Sequence, residues 1–274
     1  MMSKEVEEII QKQNYIHPSR YISGRIIEYD IKSANISMLR LQNIISQEDY
    51  ERLSKMPKIN REIEIGLMEK QDPSLYTTIQ TGIRASKLKL ADSNNIENPD
   101  VIVRIANDAV YINSPVELSK IQFGQYVLFK RKSEYRNMIR FGNIIIFIAI
   151  LENGDIDIDV KGISENNIPL HSDYILSIIV SAVTMLEYSG VNVAINYVSN
   201  ICEQYLHYQL PVGFYREFSP ESSYRVKSSD YFLNGFGLSD VLENQKYQLD
   251  INYNYNILRE LWSILIDIYN RRNR

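Results

Sequence analysis

Apolar and polar positions alternate along this chain with two periods, and the change from one to the other predicts its elements. Residues 1 to 14 carry apolar side chains at helical spacing, which predicts a short amphipathic helix. After His17-Pro18-Ser19 a strand is expected from about Tyr21 to Tyr29, ended by Asp30. Helical spacing returns from Ser33 to about Asn43, and Ser46-Gln47-Glu48-Asp49 is a helix-start signal for Asp49 to Lys55. Pro57 interrupts. Two further helices are predicted, from about Asn60 to Lys70 and, after Asp72-Pro73-Ser74, from Leu75 to about Ser93, where Asn94-Asn95 stops the second.

The period then shortens to two. Val101 to Ile105 and Ala109 to Asn113 read as the arms of a hairpin, with Asn107-Asp108 as its turn and Pro115 closing it. More strands are expected at Tyr126 to Lys130 and Asn143 to Leu151. Asn153-Gly154 joins the latter to the alternating run Asp155 to Val160, a strong hairpin signal. From Ser172 onward helices dominate, at Tyr174 to Tyr188, Val193 to Tyr208 and Ile257 to Arg271, with a Ser-, Gly- and Tyr-rich loop from Pro211 to Gly237. The expectation is an α+β protein. Its antiparallel sheet and helices fill a domain of residues 1–169, followed by a mainly helical region of residues 170–274.

Composition narrows the class. With 274 residues, 45% hydrophobic and 23% charged, the chain can bury a full core, and a folded rather than a disordered chain is expected. A net charge of -4 argues against a surface that is basic all over, so any nucleic-acid contact must lie on a local strip. The single Cys202 excludes an internal disulfide and reads as an apolar filler. The charged N-terminus lacks a secretion signal, and Ile144 to Leu151 and Ile175 to Leu186 are too short to span a membrane. A cytoplasmic protein without membrane contact is expected. Twenty tyrosines against eight phenylalanines, with many Asn and Ile, point to AT-rich coding rather than to function.

The candidate chemistry lies where two apolar runs stop at a carboxylate. Asp30 ends the first strand and Asp108 occupies the hairpin turn 78 positions later. Strand, helices, then hairpin is an order that can bring the first strand beside the hairpin, and two Asp side chains there offer hard oxygens to a pair of divalent ions. Structural roles compete with this. Asp30 could N-cap a helix starting near Ile31, and Asp108 could simply make the turn. The strip Lys130, Arg131, Lys132, Arg136, Arg140 could be a solvated face, although Tyr126, Phe129 and Tyr135 are interleaved with it. Asp155, Asp157 and Asp159 read as edge-strand protection against aggregation. His17, His171 and His207 lack metal-ligand spacing.

At these motifs the first 165 or so residues resemble the palm of family B DNA polymerases. That family's motif A, D-x-x-S-L-Y-P-S, is matched at Asp30, Ser33 and Ser37, and its motif C, D-T-D-S-V-Y, at Asp108, Val110 and Tyr111. The helix Thr81 to Leu88 is similar to the one before motif C, Lys130-Arg131-Lys132-Ser133-Glu134-Tyr135 to the basic K-K-x-Y element, and Lys161-Gly162 to a later K-G segment. The resemblance implies a nucleotidyltransferase of phage-like, viral or plasmid origin that uses Mg²⁺ or Mn²⁺. Asp30, Asp108 and the Ile31 carbonyl would hold the metal. Ser33, Asn35 and Arg61 would contact a nucleoside triphosphate, and Lys130, Arg131, Lys132, Tyr135 and Lys161 a primer-template or single strand.

The chain departs from the pattern in four places. Asn35 replaces the motif A tyrosine that reads the sugar, and Ala106 replaces the first motif C aspartate. The motif B lysine has no match, so Arg61 or Lys58 would have to supply that cation. An exonuclease and most of the fingers are missing too, which allows a stripped polymerase, one piece of a split enzyme with a second polymerase subunit, or a catalytically inactive palm relative that binds nucleic acid or a replication protein. An unrelated interaction protein, contacting its partner through Phe214 to Phe236, is a further alternative.

Overall fold

The computed structural model describes residues 2–165, 168–215 and 245–273. It is a mixed α+β protein in two compact units that divide between Arg136 and Asn137, within one long strand. Strands give way to helices near Leu170, where the periodicity changes.

In the first unit, α1 (Lys4–Gln11) buries Val6, Ile9 and Ile10 on one face and is capped by the Ser3 side chain, which accepts from the Val6 amide. Strand β1 (Tyr15–Ile16) follows, then β2 (Tyr21–Ile31), whose run Ile26 to Tyr29 is wholly buried. Four helices come next: α2 (Ala34–Leu41), α3 (Gln47–Lys55), α4 (Lys58–Gln71) and α5 (Ser74–Ser93). Ser46 starts α3 as expected, its hydroxyl accepting from the Asp49 amide at 3.0 Å. The 20-residue α5 packs on α2 so closely at Gly82 that an added Cβ would lie 2.7 Å from the Met38 sulfur.

The hairpin β3 (Ile102–Ile105) and β4 (Ala109–Asn113) forms within a residue of its predicted bounds. Short β5 (Gln122–Phe123) pairs with the start of β6 (Val127–Phe141). In this unit the order is β1-β3-β4-β2-β6, so β2 is central, between the hairpin and the first half of β6. The core lies between this sheet and the helices, with Ile27, Tyr29, Met38, Leu39, Ile83 and Leu90 buried in it.

The second unit begins with the rest of β6, which pairs antiparallel with β7 (Ile144–Ile150), and β7 pairs with β8 (Ile156–Lys161). The Asn-Gly turn is present, with Gly154 at φ +85°, where a side chain would be strained. Beyond it lie α6 (Ile168–Ser172), α7 (Ile175–Tyr188), α8 (Val191–Leu206) and the C-terminal helix Gln245–Arg272. Helix α8 packs against both α7 and the C-terminal helix around Val198, Leu258 and Leu261. Among the described residues no helix is long and apolar enough to cross a membrane. Beyond Tyr215, the stretch expected as a Tyr-rich loop lies outside the described residues.

Candidate carboxylate site

The end of β2 and the turn of the hairpin meet. Asp30 is the cross-strand partner of Ala109, and the Ile31 amide donates to the Asp108 carbonyl at 3.0 Å. The intervening helices are an excursion that returns the chain to the same edge. Asp30 therefore remains within β2, and α2 begins only at Ala34, after Ser33 in the left-handed region. The N-cap alternative for Asp30 is thus overturned. Asp108 does occupy a turn, a three-residue loop closed by the Ala106 amide donating to the Ala109 carbonyl at 3.0 Å.

The two carboxyl groups act on one another. Burial, and then the negative charge of Asp108, push the Asp30 carboxyl up to about 6, against the opposing pull of Lys132. One Asp30 oxygen, Oδ1, is buried without a hydrogen-bond partner, and the other is 4.0 Å from Lys132 Nζ. A close carboxylate pair with an unsatisfied oxygen favours a proton or a cation between the two groups. Hard oxygens suit Mg²⁺ or Mn²⁺, so the donor chemistry fits such an ion at Asp30 and Asp108. Among the described residues, no group of three or more His, Cys, Asp or Glu side chains could hold a metal.

Two groups at this site were passed over in the sequence. Glu28, two residues before Asp30 on β2, is 2% exposed. It accepts from Lys132 at 3.1 Å and from Tyr135 at 3.2 Å, and its cross-strand partner is Tyr111. Glu28 is thus fully engaged while Asp30 is not. The available signal was the period of two linking Glu28 to Asp30. The second group is Lys87 on α5, only 1% exposed, whose ammonium donates to the carbonyls of Ala106 and Asn107 at 3.0 Å each. Burial lowers its pKa to about 8, with Asp108 acting to raise it and Arg84 to lower it.

The residues expected to contact a nucleotide lie just beyond Asp30. Ser33 stands at the N-terminus of α2 without a side-chain capping bond, and Ser37 donates to the Lys32 carbonyl at 3.1 Å. Asn35 donates to Glu62 at 2.9 Å. Arg61 Nε is 3.8 Å from the same carboxylate and, buried, has no hydrogen-bond partner. Glu62 thereby brings Asn35 and Arg61 together.

The basic strip divides. Lys130 is exposed; Arg131 pairs with Glu117 and Glu134; Lys132 is shared between Glu28 and Asp30. Tyr135 is 5% exposed and stacks on Tyr111, with ring centroids 6.4 Å apart, so its ring faces the core and is withdrawn from base stacking. Lys161 belongs to the second unit, where it pairs with Asp159 at 2.7 Å.

Comparison with known proteins supplies the family. The family described as Bacteriophage PBS1 gene 130 protein matches residues 2–267, and the chain belongs to it. The expected phage origin is met. No curated protein matches the chain.

Proposed function

We propose that this phage protein is a polymerase-like nucleotidyltransferase that transfers the nucleoside monophosphate of a nucleoside triphosphate to a hydroxyl of a primer-template or single strand in the host cytoplasm, with pyrophosphate as the leaving group. The observation that carries the reading is the meeting of Asp30 and Asp108 at adjacent strand ends, with the Asp30 carboxyl raised to about 6. Asp30 and Asp108 would hold the divalent ion, with the Ile31 carbonyl as a further oxygen. When bound, Mg²⁺ or Mn²⁺ acidifies an attacking hydroxyl and stabilises charge on the phosphoryl group. The chain's own residues do the rest. Arg61, half-buried with its Nε atom unsatisfied, offers a preorganised charge to a triphosphate. Ser33 and Asn35 would contact the nucleotide, while Lys130, Arg131 and Lys132 of the first unit would hold backbone phosphates.

Primer extension with Mn²⁺, comparing wild type with Asp108→Asn, tests the reading. Extension is expected for wild type alone, and equal activity in both ends the catalytic claim.

A second reading, a catalytically inactive palm relative that binds nucleic acid or a second replication subunit, draws on Lys132. That side chain already sets a cation beside Glu28 and Asp30, and Ala106 stands where motif C has its first aspartate. It predicts single-strand binding that weakens steeply with salt, without thermal stabilisation by Mn²⁺.

A further inference from the structure

Lys87 occupies a position where a hydrocarbon would ordinarily stand. On α5 it lies one turn after Ile83 and one before Leu90 and Ala91, all buried. Buried lysines are rare unless their charge is engaged. Here the stem fills core space and the ammonium reaches the hairpin loop, donating to the carbonyls of Ala106 and Asn107, the two residues immediately before Asp108. The loop already has its own closing bond, from the Ala106 amide to the Ala109 carbonyl. Lys87 adds a second anchor, on the two residues that precede Asp108. The peptide entering Asp108 is fixed through the Asn107 carbonyl by Lys87, and the peptide leaving it is fixed through the Asp108 carbonyl by the Ile31 amide.

We propose that Lys87 is a positioning residue: by clamping the carbonyls of Ala106 and Asn107 it fixes the direction in which Asp108 presents its carboxylate toward Asp30. The value of this orientation to a reaction rests on the nucleotidyltransferase reading, whereas the clamp itself does not. Two gripped peptide planes leave the Asp108 Cα little rotational freedom, which is the preorganisation a ligand-binding carboxylate requires. Arginine can still donate to carbonyls from this position and methionine cannot.

The test compares wild type, Lys87→Met and Lys87→Arg by amide hydrogen exchange and by Mn²⁺ titration followed by electron paramagnetic resonance. The Ile31 and Ala106 amides are expected to exchange at least about tenfold faster in Lys87→Met, with helical circular dichroism retained and protection largely recovered in Lys87→Arg. Mn²⁺ affinity should fall by roughly tenfold in Lys87→Met and recover in Lys87→Arg. Unchanged exchange in Lys87→Met, or acceleration spread evenly over the sheet, overturns the proposal. If Lys87→Met does not fold, Lys87→Leu takes its place, and failure of both to fold makes Lys87 a core staple and overturns the positioning role. Wild type that binds no Mn²⁺ removes the functional reading, while the exchange result still decides the clamp.

Discussion

Two hairpins in this protein carry aspartates, and they put them to different use. In the β3–β4 hairpin the acid sits in the loop, flush against a third strand that carries its own acid, so Asp108 and Asp30 share one small space. In the β7–β8 hairpin, Asp157 and Asp159 lie along the strand, opposite Ala149 and Phe147. No acid there meets another across the ladder, and Asp159 has Lys161 at 2.7 Å. The second hairpin region has three aspartates at 155, 157 and 159, and the first has one. The number of acids in a stretch therefore says little about their chemistry. What matters is the cross-strand neighbour, and a central strand such as β2, with a strand on either side, supplies neighbours that β8 lacks among the described strands.

The largest expected effect separates the hairpins by activity. Asp108→Asn should lower Mn²⁺-dependent primer extension on the order of a thousandfold, because a ligand carboxylate is lost, whereas Asp157→Asn should leave it within about twofold. Equal losses in the two variants would erase the distinction.

Next comes stability at Glu28. Removing this buried carboxylate leaves Lys132, Tyr135 and Tyr111 facing a gap, and Glu28→Ala should cost about 3 kcal/mol in urea unfolding. Asp30→Ala should cost far less, or be neutral, because it removes a carboxylate that repels Asp108. The reverse order would mean that Glu28, not Asp30, is the strained member of β2.

The pH dependence follows from the raised carboxyl. Between the unfolded value of 3.8 and the folded value of about 6, the native state binds the proton more strongly, so stability contributed below 3.8 is lost as pH rises through 6. With solvent screening at the open side of the site, the loss should be about 1–2 kcal/mol. Lys87 acts in the other window. Its folded value of about 8 lies below 10.5, so stability rises as the pH climbs from 8 to 10.5 and the unfolded chain gives up its proton. Urea midpoints across pH 4–7 for wild type and Asp30→Asn check the first window, where only wild type should slope.

Both hairpins were legible in the sequence because a period of two with Asn-containing turns has few other readings; β3, β4, β7 and β8 lie close to where alternation put them. Strand β6 was legible only at its start. Its middle, Lys130 to Tyr135, reads as a basic surface element, and what makes it a strand is pairing whose polar side chains answer one another across it, as Lys132 and Tyr135 do with Glu28 and Glu134 does with Arg25 at 3.0 Å. The two-residue β1 is too short to show a period. The C-terminal helix starts at Gln245 rather than near Ile257, and its polar first turns hid that start from the apolar pattern. Of the site, Asp30 and Asp108 could be picked out because each ends an apolar run. Lys87 could not, since its acceptors are backbone carbonyls 19 and 20 residues away that no side-chain pattern announces. The burial of Tyr135, expected at a nucleic-acid strand, was hidden for the same reason: it depends on Tyr111, a cross-strand neighbour of Glu28.

The smallest effect tests the quieter hairpin. Asp159 and Lys161 are each about 30% exposed at the side chain, so water and salt screen their pairing, and β8 needs neither charge to keep its ladder with β7. A double-mutant cycle with Asp159→Asn and Lys161→Met should give a coupling below about 1 kcal/mol that shrinks further in 0.5 M salt, roughly the behaviour of any half-exposed ion pair. A coupling above about 2 kcal/mol that resists salt would mean that these charges, as exposed as the Asp30 side chain, escape the screening expected of them. The difference between the hairpins would then lie in the identity of the neighbours alone, since Asp159 has Lys161 beside it where Asp30 has a second carboxylate as well as Lys132.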